Sequence, residues 1–134
     1  MTRYAIDAPT LLHLVQGTQG VAVKHQLVAP NLIRSQSLSL LFEAVQQGRL
    51  SEDEALLHHE RMTEMKMRLL GDRVSRRTAW KIAREQGWDS TYDAEYLAVA
   101  RLQADALVTV STEMRAKAQD IVPIAPLDVL FASD

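Results

Sequence analysis

The 134-residue chain contains no cysteine. That absence excludes disulfides and thiolate metal sites, and it suits a reducing compartment, the cytoplasm. No apolar run approaches the ~18 residues of a membrane span, so no membrane association is expected, and no secretory leader is read in the first residues. Internal repeats and low-complexity segments are also missing. Net charge is nearly absent, at −2. What is present is apolar material: 47% of the residues are hydrophobic, which argues against disorder and, at this length, for one domain over residues 1–134 with one core.

The small net charge hides an asymmetry. Between residues 61 and 85 there are eight basic residues (Arg61, Lys66, Arg68, Arg73, Arg76, Arg77, Lys81, Arg84) against three acids (Glu64, Asp72, Glu85). The remainder of the chain is correspondingly acidic. Such a stretch is either a polyanion-facing edge or an ordinary solvated helix face.

Hydrophobic spacing gives the element order. Residues 3–7 read as a strand ending in Asp7, and residues 8–15 as a helix with Pro9 in its first turn, where no amide is missed. Leu27-Val28-Ala29 is a short strand. Pro30 opens a helix to about residue 47, stopped by Gly48. Ser51 and Glu54 form a capping box for a helix that runs through Leu69 to Gly71. A further helix covers about 75–86 and ends at Gly87. Ser90 and Asp93, at capping-box spacing, open the next helix, on which Tyr96, Leu97, Val99 and Ala100 share a buried face. Residues 105–110 form a buried strand, 112–119 a helix, and 121–124 a last strand. Helices alternating with buried strands predict a three-layer α/β/α sandwich around a small, mainly parallel sheet, with a cluster of helices between the second and third strands.

In parallel sheets, chemistry collects at the carboxyl ends of the strands. Asp7 and Asp93 both fall at such places. Two carboxylates there can share Mg2+ or Mn2+, which generates hydroxide and stabilises the leaving oxygen of a phosphodiester. On spacing alone the same two acids have a simpler explanation as helix caps. His58-His59-Glu60 is not a ligand cluster, because adjacent helical residues point about 100° apart.

Five segments, in order, resemble the PIN-domain family, most closely its VapC-like toxin branch: Tyr4-Ala5-Ile6-Asp7-Ala8; Ala29-Pro30-Asn31-Leu32-Ile33-Arg34-Ser35-Gln36; Gly48-Arg49-Leu50-Ser51-Glu52-Asp53-Glu54-Ala55; Tyr92-Asp93-Ala94-Glu95-Tyr96-Leu97-Ala98-Val99-Ala100; and Leu107-Val108-Thr109-Val110-Ser111. The resemblance implies a magnesium- or manganese-dependent endoribonuclease that forms homodimers and is inhibited by a small antitoxin protein. It implies three or four metal-binding acids. Asp7 and Asp93 supply two of them. Gln36 stands where the second motif has glutamate, and Ser111 where the fourth has aspartate. A cation held by two carboxylates binds more weakly, so Thr109, Glu113 and Asp89 are the candidates for local support. Glu113 also has the simpler role of a first-turn acid, and Ser111 that of an N-cap. Arg34, Arg73, Arg76, Arg77 and Lys81 are candidate phosphate contacts, which position RNA without reading its sequence. Two functions follow: a metal-dependent ribonuclease centred on Asp7 and Asp93, or a degenerate PIN domain that binds RNA or protein without turnover.

Overall fold

Strand β1 (Thr2–Ile6) lies at the centre of the sheet, and everything else is arranged about it. The computed structural model describes residues 1–17, 19–22 and 24–132. After β1 come α1 (Ala8–Gln16), β2 (His25–Pro30), α2 (Leu32–Gln46), α3 (Glu52–Glu64), β3 (Arg68–Leu70), α4 (Arg73–Gln86), α5 (Tyr92–Gln103), β4 (Ala106–Val108), α6 (Thr112–Ala118), β5 (Ile124–Ala125) and a short 3-10 turn, Leu127–Leu130. The five strands form one sheet in the order β3-β2-β1-β4-β5, and every neighbouring pair is parallel.

Parallel strands covered on both faces read as continuous apolar runs rather than alternations. Leu27, Val28 and Ala29 in β2 and Ala106, Leu107 and Val108 in β4 are all buried. The strand order reverses between β1 and β4. Right-handed crossovers then place α1, α2 and α3 on one face of the sheet and α4, α5 and α6 on the other. The packing agrees: α1, α2 and α3 contact one another, while α4 packs on α5 and α5 on β1, β2 and β4. This is the α/β/α sandwich. Helix α5 is buried over most of its circumference, through Ala94, Tyr96, Leu97, Ala98, Val99 and Ala100, because it lies between the sheet and α4. Among the described residues, no helix is long and apolar enough to cross a membrane.

Most helix ends sit where local chemistry puts them. The Ser51–Glu54 capping box is formed in both directions, at 3.0 and 3.1 Å. Helix α4 ends on Gly87 in the left-handed conformation (φ 71°), which glycine adopts without a Cβ penalty.

Several boundaries differ from expectation. The strand expected over 105–110 is confined to Ala106–Val108, and Asp105 and Val110 are exposed. The helix expected to run from Ser51 to Gly71 stops at Glu64, and Arg68–Leu70 forms the edge strand β3 paired with Val28, Ala29 and Pro30. Met62, Met65 and Leu69 keep helical spacing in sequence, but the backbone turns extended at Met65 and the tertiary pairing wins. Pro30 closes β2 instead of opening α2; its missing amide leaves no gap, since Asn31 N donates to Leu70 O. The last strand is displaced to Ile124–Ala125. At α5 the N-cap is Thr91, with no side-chain cap, so the Ser90–Asp93 capping box does not form.

Candidate functional site

In a doubly wound sheet the crevice opens at the carboxyl ends of the strands where the order reverses. Here that point is flanked by Asp7, just after β1, and by Thr109, Val110 and Ser111, just after β4. Asp93 opens α5, and Gln36 lies in the first turns of α2.

Asp7 is 2% exposed and is the N-cap of α1. Its Oδ1 accepts from the Thr10 amide at 3.2 Å and from the Thr10 hydroxyl. Its Oδ2 accepts from Thr109 Oγ1 at 2.6 Å. The two threonines pass the network on. Thr10 Oγ1 accepts from Val110 N and Thr109 Oγ1 from Ser111 N, each at 3.0 Å. A carboxylate offers about four lone pairs, and three of Asp7's are taken by protein donors. The acid therefore ties α1 to the segment after β4.

Asp93 is engaged differently. Lys117, from α6, places its ammonium 2.6 Å from Asp93 Oδ2, with the two side chains 33% and 35% exposed. The ammonium also lies 5.2 Å from the centre of the Trp88 ring. The hydrogen bond to Asp93 holds the Lys117 ammonium above the ordinary lysine range, with further attraction from the Asp93 and Glu113 charges. Where a cation would be expected beside this carboxylate, the chain supplies its own.

The Gln36 carbonyl oxygen accepts from Tyr96 OH at 2.5 Å. Burial is the main reason the Tyr96 hydroxyl is held well above the usual phenol range; the charges of Asp7, Glu95 and Asp93 push the same way. Tyr96 is thus a neutral donor facing an amide. Glu95 is itself pushed up by burial, with Arg76 opposing.

The structure brings Asp7, Thr109 and Ser111 together by hydrogen bonds, while Asp93 is held by Lys117 and shares no hydrogen bond with them. Ser111 is the N-cap of α6 and accepts from Met114 N at 3.1 Å. Glu113 is exposed in the first turn of α6 and faces Lys117. Asp89 is exposed in the segment between α4 and α5. Arg34, Arg73, Arg76, Arg77 and Lys81 are all exposed. Among the described residues, no group of three or more Asp, Glu, His or Cys side chains is placed to hold a metal ion. The residues present do not fit a divalent cation: one acid is enclosed by hydroxyls, the other is neutralised by a lysine, and the remaining two motif positions carry no charge.

No protein-family model matches the chain, and no curated protein matches it. Among solved structures, the crystal structure of PAE2754 from Pyrobaculum aerophilum superposes with a TM-score of 0.70 at 22% identity, over 97% of this chain and 94% of that one. The likeness shows the fold.

Three participants were not found from the sequence. Thr10 had a signal, a hydroxyl three residues after a capping acid. Lys117 had none, since it meets Asp93 from 24 positions away. Tyr96 was read as core, which it is, yet its hydroxyl faces the site.

Proposed function

We propose that this chain is a PIN-like domain that binds RNA without cleaving it. Three lines support the reading. The five family-like segments occur in order, and the sheet reverses where those segments place their acids. The basic side chains of α4 and Arg34 are exposed, on a molecule that is acidic elsewhere. The observation that carries the non-cleaving part is Lys117 on Asp93 at 2.6 Å: a bound cation there must first displace an internal one. With no metal step, the basic side chains still neutralise phosphate. The resemblance also implies a small antitoxin partner and a homodimer; exposed Leu38, Phe42 and Leu56 on α2 and α3 give such a contact an apolar surface.

The test is binding and cleavage of one labelled, structured RNA with Mn2+. The variants are the native chain, Asp93→Asn, and the triple Gln36→Glu, Ser111→Asp, Lys117→Met. Asp93 is chosen over Asp7 because losing the buried Asp7 confounds activity with folding. The expected result is native binding that weakens steeply with salt, no native cleavage, and cleavage by the triple variant. Native cleavage that disappears in Asp93→Asn would restore the metal-dependent ribonuclease reading. Absence of native RNA binding would end the RNA part.

A further inference from the structure

Helix α4 has two unlike faces. Ser75, Ala79, Ile82 and Ala83 are buried, and the helix packs on α5. Opposite them stand Arg73, Arg76, Arg77, Trp80, Lys81 and Arg84, all exposed. At 3.6 residues per turn these six span roughly 140° of the helix circumference, with Trp80 near the middle and Arg76 and Arg84 one turn to either side. Trp80 is 66% exposed. An indole left in water forgoes the burial that large aromatics ordinarily gain, and the cations of α4 do not cover this one; the lysine that does sit over a ring, Lys117, lies on Trp88. Among the described residues, Arg73, Arg77, Lys81 and Arg84 make no ion pair or side-chain hydrogen bond. The acids near this helix are Asp72 at its N-cap, Glu85 near its end and Glu95, which faces Arg76.

We propose that this face of α4 binds single-stranded RNA, with one base stacked on the Trp80 indole and neighbouring phosphates on Arg77, Lys81 and Arg84. The inference rests on the RNA-binding reading above and adds the strand state and the platform. Its ground is complementarity: unpaired donors with an uncovered π-face suit a strand whose bases are unstacked, whereas a duplex offers phosphates but no free base. A membrane surface is the lesser match, because an interfacial helix buries a broad apolar face and the apolar face of α4 is already packed on α5.

Fluorescence anisotropy with labelled oligouridine, and with the same strand annealed to oligoadenosine, tests it on native protein, Trp80→Ala, Trp80→Phe and the pair Arg77→Ala, Lys81→Ala. Native protein is expected to prefer the single strand. Trp80→Ala should weaken that binding at least about 5-fold, from the low end of base–aromatic stacking, while Trp80→Phe keeps most of it. The charge pair should weaken both ligands and reduce the single-strand salt slope by about 1.4. If native protein binds RNA and Trp80→Ala binds equally well, the stacking platform is overturned and the RNA reading stands. If native protein binds neither ligand, the RNA reading itself falls. Binding to phosphatidylserine vesicles that depends on Trp80, without RNA binding, would overturn both in favour of a membrane surface. The variants sit on exposed positions, and unchanged circular dichroism separates lost contacts from lost fold.

Discussion

Replacing Lys117 by methionine isolates the internal cation. The stem keeps its bulk and loses the charge that Asp93 and the Trp88 ring share. Because both members of the pair are about one-third exposed, the ion pair is discounted to ~0.2–1 kcal/mol, and the ring contact adds ~0.5–1 kcal/mol. Lys117→Met alone should therefore lower stability by about 1–2 kcal/mol, or roughly 3–7 °C in Tm for a domain of this length. The same energy is the least that Mn2+ must overcome to displace the ammonium, which weakens its binding by about 5- to 30-fold. If the lysine stayed in place instead, a divalent ion about 4 Å from it would be repelled by about 8 kcal/mol at an effective dielectric of 20. Thermal unfolding with and without millimolar MnCl2 reads the difference. The native chain should shift by less than about 1 °C. With the acids at 36 and 111 restored alongside Lys117→Met, a site of Kd ~50 µM would raise Tm by about 6 °C in about 1 mM Mn2+. A native gain of several degrees that vanishes in Asp93→Asn would refute the reasoning, because the lysine would then not be standing in for a metal.

Three further outcomes are expected. Thr109→Val strips a donor from buried Asp7 and an acceptor from the Ser111 amide, and should cost about 2–4 kcal/mol by urea denaturation, with Thr109→Ser recovering most of it. Gly87→Ala meets no neighbouring atom, so its cost is the left-handed backbone alone, about 1–2 kcal/mol, seen as a Tm lowered by roughly 3–7 °C. Glu54 is held below the ordinary glutamate range, first by the Ser51 amide it accepts from and then by the Ser51 hydroxyl. A depressed folded value contributes stability above the ordinary range that is lost as pH falls through it, so the gap in urea midpoint between native and Glu54→Ala should be steady near neutrality and close on acidification.

The layers and the central sheet were legible because buried parallel strands and capped helices announce themselves locally: Leu27-Val28-Ala29, the Ser51–Glu54 box and Gly87 each carry their own signal. Strand β3 was not legible. Three residues leave no period, and its identity comes from pairing with a strand some forty positions earlier. The candidate site divides the same way. Asp7 and Ser111 each carry a helix-cap reading in the sequence, and the structure shows each as a cap. The state of Asp93 depends on Lys117, brought in by α6, and no local pattern encodes that meeting. Trp80 lay within the basic stretch, but its exposure is decided by which face of α4 rests on α5.

The position of β1 has a kinetic consequence. The first strand made is the middle one, and one of its two neighbours, β4, pairs Ala106 with Tyr4 and Leu107 with Ala5 across about a hundred intervening residues. Non-local parallel pairing of this kind closes large loops before any ladder forms, so the chain should fold slowly for its size. A nascent chain that stops short of β4 leaves one side of β1 unpaired, a template for another strand. Truncations that remove β4 and β5 should therefore aggregate rather than yield a smaller folded half, while losing the two-residue edge strand β5 alone leaves both sides of β1 paired.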